Sequence, residues 1–236
     1  MKRVWLMLKI FIGYDEVETV AFHTLVQSII NLSTEPVEIM PLKLSMLPEY
    51  TRQRQPQQSN EFSFSRFFVP YLCGFKGKAL FIDCDMMFRE DPKELFKLIN
   101  DNQSISVVKH DYTPKTKTKF LGSIQYQYPR KNWSSVMLFN CEHTDCKRLT
   151  PDFINNADGL ELHRFWWTHD DYIGELPVEW NHLVGEYQKN KDAKLVHWTL
   201  GGPYFIDYHD TEYAGEWIDL EKQINHCEQL KAVKEA

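Results

Sequence analysis

Two aspartates and a distant histidine are the residues of this chain best suited to chemistry. Asp83 and Asp85 flank Cys84 at the end of the apolar run Ala79 to Ile82. That run has the length and composition of a buried strand, which does not tolerate an unpaired carboxylate. Side chains alternate along an extended chain, so Asp83 and Asp85 share a face and Cys84 points away. Two carboxylates on one face repel unless a cation lies between them or one takes a proton. A hard divalent ion that favours oxygen, Mn²⁺ or Mg²⁺, is the economical resolution. His197 ends a second apolar run, and imidazole can complete an Asp/Asp site for Mn²⁺. Gly201 and Gly202 follow it, and paired glycines let backbone approach a phosphate closely. Each signal is weak alone. Two aspartates can cap the next helix, and a histidine after a strand is more often structural. The capping role suits Asp91 better, because Asp83 and Asp85 lie several residues too early for it.

The elements that must position these groups alternate as in an α/β chain. Ile10 to Asp15 reads as a strand running into a turn at Gly13-Tyr14-Asp15. Val20, Leu25, Ile29 and Ile30 then recur at helical spacing, and Val37 to Leu42 is a second strand. This order opens a parallel sheet, whose ligands sit beyond the carboxyl ends of its strands, where Tyr14 and Asp15 fall. Taken alone, Tyr14-Asp15 reads as an ordinary turn and helix cap. Residues 50–60 form a polar loop, and Phe62 to Leu72 an aromatic-rich helix. Its single charge, Arg66, is either a snorkelling surface group or a buried anion clamp. Asp91, Pro92 and Glu94 have the pattern of an N-cap, a first helical position and a capping box, ahead of Leu95, Phe96, Leu98 and Ile99. Ile105 to Val108 is another strand. The basic stretch 112–131 is a solvated loop by default, or a flap over the site. Ser134 and Ser135 lead into the strand Val136 to Asn140. From Trp217, the residues Leu220, Ile224, Cys227 and Leu230 suggest a closing helix with a frayed end at 231–236.

With 236 residues and neither an internal repeat nor a linker, a single domain is expected. The net charge of -6 argues against nucleic acid as a partner. Five cysteines without a CxxC pair suit reduced thiols, hence a cytoplasmic protein. Lys2 and Arg3 precede a short apolar run that Lys9 interrupts, which is a strand rather than a signal peptide. No segment approaches the roughly 20 apolar residues of a membrane span.

Six segments occur together in the order seen in family-8-like glycosyltransferases. They are Ile10 to Asp15, Arg66 with Phe67-Phe68-Val69-Pro70, Phe81 to Asp85, Ser135 to Leu138, His169-Asp170-Asp171, and His197 to Gly202. The chain resembles that family over about residues 10 to 205, with boundaries good to a few residues. The resemblance implies a GT-A fold, a Rossmann-like mostly parallel α/β sheet flanked by helices. The nucleotide-binding part would span about 1–110 and the acceptor and closing part about 111–236. It further implies transfer of a sugar from a UDP-sugar to a glycan, lipid or protein acceptor, with retention. Cell-surface glycan or lipopolysaccharide synthesis would be the setting. By position, Tyr14 and Asp15 would meet the nucleoside, Arg66 the diphosphate or donor sugar, and Ser134, Ser135, Gly201 and Gly202 the donor. Asp83, Asp85 and His197 would hold Mn²⁺ (or Mg²⁺), and His169, Asp170 and Asp171 would lie at the reacting carbon.

Three departures stand out. Trp133 occupies the family's asparagine position, with Asn132 one residue earlier. His169 replaces the first aspartate of an Asp-Gln-Asp-like segment. The lysine that follows the family's histidine-glycine motif is missing, and Gly201-Gly202-Pro203-Tyr204 stands there. Two other functions compete. A catalytically inactive sugar- or nucleotide-binding protein of the same fold would explain the missing lysine. A HAD-type phosphatase also ends a strand with Asp-x-Asp, but Met86-Met87 follow where it wants Thr or Val.

Overall fold

The computed structural model describes residues 7–54, 58, 60–122 and 128–225. In chain order its elements begin with β1 (Leu8–Gly13), α1 (Thr19–Leu32) and β2 (Val37–Leu42). Next come α2 (Val69–Leu72), β3 (Lys78–Ile82), β4 (Met86–Phe88), α3 (Pro92–Phe96), β5 (Ile105–Val107) and β6 (Val136–Asn140). The remainder are α4 (Pro151–Asn156), α5 (Gly159–His163), β7 (Ile173–Glu175), β8 (His182–Leu183), β9 (Leu195–His197) and α6 (Ala214–Asn225). The main sheet has six strands in the order β2-β1-β3-β6-β5-β7. β1 pairs parallel with β2 and β3, β6 pairs antiparallel with β3 and β5, and β5 pairs parallel with β7. Five strands therefore run one way and β6 alone runs back. This is a mostly parallel α/β sheet.

The reversal of β6 matters for the site. In a parallel sheet, ligands collect at the carboxyl ends of the strands. Ile82, the last residue of β3, lies opposite Val136, the first of β6. The residues entering β6 therefore emerge at the same edge as the residues leaving β3. Asp83 and Ser134-Ser135 are neighbours for that reason, and the Asp83 amide donates to the Ser135 carbonyl at 3.0 Å.

Beyond Asp85 the chain enters a second sheet of three strands, β4-β9-β8, in which Met86 lies opposite His197. The acidic pair is thus the joint between the two sheets. The larger apolar cluster, with Ile10, Ile12, Leu80, Phe81, Leu138 and Phe139 fully enclosed, holds the main sheet in place. A smaller cluster around Met87, Val196, Trp198 and Trp217 lies under the second sheet.

Most predicted elements are present, with physical exceptions. The helix expected over Phe62 to Leu72 is a 3-10 turn (Ser65–Phe68) followed by α2. Pro70 has no amide to donate inside a longer helix and is tolerated only in a first turn, where α2 places it. Asp91 caps α3 by accepting from the Lys93 amide, but Glu94 pairs with Lys97 instead of returning to the cap. Cys73, Cys84, Cys141 and Cys146 are buried free thiols. Lys2, Arg3, Cys227, Leu230 and the end at 231–236 lie outside the described residues. No helix among the described residues is long and apolar enough to cross a membrane.

Candidate active site

One carboxylate oxygen from each of Asp83 and Asp85 and one ring nitrogen of His197 lie within 4.8 Å of one another. His197 is almost wholly enclosed, and its hydrogen bonds determine what it offers. Nδ1 lies 2.9 Å from Oδ1 of Asn181, which is itself fully buried. The amide orientation of Asn181 follows from its partners. Ser135 Oγ gives its proton to the Asn132 carbonyl, so it can only accept from Asn181 Nδ2, at 2.8 Å. Asn181 Oδ1 therefore faces His197 as an acceptor and requires the proton on Nδ1. In the neutral ring Nε2 then carries a lone pair, aimed at Asp85 Oδ1 3.3 Å away. Asp83 Oδ1 and Asp85 Oδ1 are buried and accept no well-aligned hydrogen bond, each facing one nitrogen, Arg66 Nη1 at 3.0 Å and His197 Nε2 at 3.3 Å. Converging lone pairs from two oxygens and an imidazole form a cation cradle, and the donor set fits a borderline-hard divalent metal.

Arg66 is the fixed positive charge beside that cradle. It is buried, which favours the clamp reading over snorkelling. Its guanidinium lies between the rings of Phe62 and Phe81, 5.3 and 4.9 Å from their centres. Nη1 donates to the Ser134 carbonyl at 2.7 Å and sits 3.0 Å from Asp83 Oδ1. Burial pushes the Asp83 carboxyl up to about 6 against the opposing pull of Arg66. Burial acts on Asp85 as well, but a protonated His197 ring donating from Nε2, together with the Lys119 charge, outweighs it and holds that carboxyl below its ordinary value, so a proton on Nε2 and a metal cation compete for the same place. Asp85 is the more strongly anionic of the two.

The cradle forms one wall of a cavity of about 460 Å³. Arg66, Asn132, Ser134 and Ser135 line its floor, while Lys119, Tyr128 and Lys131 reach it from the basic stretch 112–131. Ser134 and Ser135 therefore face the place where the donor was expected. Ser134 Oγ is 2.8 Å from His163 Nδ1, and burial pushes the pKa of His163 down to about 3, so it faces Ser134 as a neutral ring.

Other predicted residues lie elsewhere. Asp15 uses both carboxylate oxygens on backbone, accepting from the amides of Val17 (3.0 Å) and Glu61 (3.1 Å). That is the plain capping role, and it also ties the turn after β1 to the loop ahead of α2. The Tyr14 hydroxyl lies 3.3 Å from Thr19 Oγ1, and neither Tyr14 nor Asp15 lines the cavity. Gly201 and Gly202 do not line it either. A Cβ on Gly202 would fall 2.2 Å from the Tyr204 ring, and one on Gly201 2.6 Å from the Tyr208 ring. Both glycines are small to admit tyrosine rings. His169, Asp170 and Asp171 lie in an exposed turn outside the cavity, where both carboxylate oxygens of Asp170 accept from Arg130 Nη2 at 2.7 and 2.8 Å.

Several cavity residues escaped the sequence reading. Asn132 takes a left-handed backbone (φ 62°) and lines the cavity, with its amide donating to the Tyr112 hydroxyl at 2.8 Å. Trp133 turns away, and its indole donates to the His110 carbonyl. The left-handed residue absorbs the one-position shift noted in the sequence. Glu18 is buried in the cavity wall and accepts from the Tyr204 hydroxyl. Burial, with Asp85 adding its charge, pushes the Glu18 carboxyl up to about 8.

A family model described as glycosyl transferase family 8 matches residues 6–201. The chain belongs to that family. It is accordingly a nucleotide-sugar-dependent glycosyltransferase, and the phosphatase reading falls. Among curated proteins it is 44% identical over 225 residues to Protein CDI of Arabidopsis thaliana, covering 92% of this chain and 87% of that one. The galactosyltransferase LgtC, solved with donor and acceptor sugar analogs, superposes with a TM-score of 0.58 at 11% identity, covering 94% of this chain and 98% of LgtC. The glycosyltransferase GlyE of Streptococcus pneumoniae gives 0.60 at 11% identity, covering 91% of this chain. The family-8 chain spans 60% of GlyE, and 49% of the bifunctional WbbM, with which it shares a TM-score of 0.60 at 16% identity. These structures share its fold.

Proposed function

We propose that this family-8 enzyme transfers a sugar from a UDP-sugar to an acceptor hydroxyl, with retention, using Mn²⁺ held by Asp83, Asp85 and His197. The observation that carries the metal assignment is the His197 tautomer. Asn181 places a ring proton on Nδ1, so in the neutral ring Nε2 and Asp85 Oδ1 face each other as acceptors, an arrangement that a shared cation satisfies. The donor nucleotide and the stereochemistry rest on the ordered motif resemblance, and the cavity's size and polar floor suit the sugar-diphosphate end of such a donor.

When bound, the cation supplies Lewis acidity at the diphosphate. Arg66 adds a charge already in place, at no reorganisation cost when the bond breaks. Asn132, Ser134 and Ser135 present polar groups across the floor, where sugar hydroxyls can be oriented. Enclosure of Asp83, His197 and Ser135 keeps water from the metal side of the cavity.

A UDP-release assay on a panel of UDP-sugars, with Mn²⁺, Mg²⁺ or chelator, tests the proposal. Turnover should require the cation, and Asp83→Ala or Asp85→Ala should abolish it while the thermal melt shows a folded protein. Full activity in either variant, or no turnover of any UDP-sugar, would refute it.

A further inference from the structure

A second cavity, of about 440 Å³, opens at the same edge of the main sheet and shares no lining residue with the first. β5 and β7 pair in parallel and end together at Val107 and Glu175. Their chains then part, and the cavity lies between residues 108–111 on one side and 175–178 on the other. The carboxyl ends of parallel strands are where ligands collect in such sheets. β6 and β5 stand between it and the acidic pair after β3. With neighbouring strands about 4.8 Å apart, it lies roughly 12 Å from the end of β3.

Its lining has two characters. Val108 and Leu176 are almost wholly enclosed and make an apolar floor, while Val178, 42% exposed, stands at the rim. Lys109, Asp111 and Glu175 set one positive and two negative charges around that floor. The acidic balance disfavours a phosphate or another anion. The Tyr187 hydroxyl adds a hydrogen-bond donor, for a reason that lies with His110. His110 is 6% exposed, and burial lowers its pKa to about 3, so the ring is neutral. Its Nδ1 lies 2.7 Å from the Tyr187 hydroxyl, and its Nε2 is buried with no hydrogen-bond partner among the described residues. A neutral ring carries one N–H, and leaving that donor buried without an acceptor is the costlier arrangement. The proton therefore sits on Nδ1, which donates to the Tyr187 oxygen. The tyrosine's own proton is left for a guest. Burial and the Glu186 and Asp111 charges push its pKa up to about 12, so the hydroxyl keeps that proton. The walls are tied down, since the Trp133 indole donates to the His110 carbonyl at 2.9 Å and the Leu176 amide to the Val107 carbonyl at 2.8 Å.

We infer that this cavity is a second carbohydrate site, which seats one pyranose ring of an extended acceptor at a distance from the ring being glycosylated. This rests on the reading of the enzyme as a glycosyltransferase, and it gives the acceptor a class, a glycan of several units. A pyranose has an apolar C–H face and a girdle of hydroxyls. The C–H face suits the Val108–Leu176 floor, and the hydroxyls can donate to Asp111 and Glu175 and accept from Tyr187 and Lys109. An acyl chain would leave those charges without partners, at a desolvation cost that a sugar avoids. Reach decides the chain length, because the strands between the two cavities separate them by more than one ring can span.

Saturation-transfer NMR on the full chain tests this, with UDP and Mn²⁺ present to occupy the first cavity. The probes are glucose, galactose and mannose and the short oligosaccharides built from each. At least one oligosaccharide should bind, and Tyr187→Phe should weaken it about tenfold, the loss of one good hydrogen bond. Glu175→Gln should weaken it about threefold, and the UDP affinity of both variants should stay at the parental value. Should Tyr187→Phe not fold by circular dichroism, Val178→Ser on the exposed rim carries the test with a loss of about threefold. No oligosaccharide bound to the UDP-loaded protein, or equal binding by parent and variants, would overturn the inference, and UDP release from a UDP-sugar would still support the functional reading. Failure to bind UDP would count against that reading alone, since the sugar titrations decide this cavity by themselves.

Discussion

At the scale of single residues, the decisive group is one that binds nothing itself. Asn181 does not line the cavity, yet it decides which nitrogen of His197 is available. Removing such an orienting partner typically costs 10–100-fold in metal affinity. Asn181→Ala should therefore weaken Mn²⁺ binding by about that factor and raise the Mn²⁺ concentration needed for half-maximal turnover in step. Asn181→Asp should not, because a carboxylate oxygen still accepts the Nδ1 proton. A direct Mn²⁺ titration followed by electron paramagnetic resonance measures this, and unchanged affinity in Asn181→Ala would remove the tautomer argument. Asp83, Asp85 and His197 were legible in the sequence because a charged or ionisable side chain at the end of an apolar strand needs a reason to be there. Asn181 gave no such signal. Its role is created by Ser135, a distant residue whose hydroxyl proton is spent on Asn132. The acidic pair Asp170-Asp171 shows the converse, since the motif resemblance marked it while the fold leaves it on an exposed turn.

Among the elements, the fit of β1 against the loop ahead of α2 controls where Arg66 stands. A Cβ on Gly13 would lie 2.3 Å from the Phe62 ring, which is buried and also contacts the Arg66 guanidinium. Gly13→Ala should force that ring to move, at a cost of about 1–3 kcal/mol for overpacking. Urea unfolding should show the loss. Turnover should fall as well, since the displaced Phe62 carbonyl is an Arg66 partner. A variant as stable as the parent would show that the ring has room to yield. The strands flanking this contact, β1, β2 and β3, were readable as apolar runs, and α1 as a helical period. The short β4, β7 and β8 were not, because two or three residues carry no periodicity. Gly201-Gly202 has a packing reason in this fold. Paired glycines signal close approach, but the sequence does not say to what, and here the neighbours are Tyr204 and Tyr208.

Across the whole molecule, the cation cradle lies at the joint of two sheets that also share the main apolar cluster through Met86, Phe88 and Leu195. Asp83 follows β3 of the main sheet, Asp85 precedes β4 of the second, and His197 ends β9. The second sheet is held to the first through this joint, where the Trp198 amide donates to the Asp85 carbonyl at 3.0 Å, and through the packing of α1 on β4, where the Phe88 amide donates to Ser28 Oγ. An ion bound by all three ligands exists only when both sheets are in place, so it binds the native state and not the unfolded chain. At a Mn²⁺ concentration 100 times its dissociation constant, native-state binding adds about 2.7 kcal/mol of stability. For a domain of this size that corresponds to a rise in melting temperature of about 5–10 °C. Chelator should reverse the rise, and Asp85→Ala should show none of it, because the lost carboxylate is the one that faces His197. An equal rise in that variant would mean that the stabilising ion sits elsewhere, and the two sheets would need no metal to explain how they are joined.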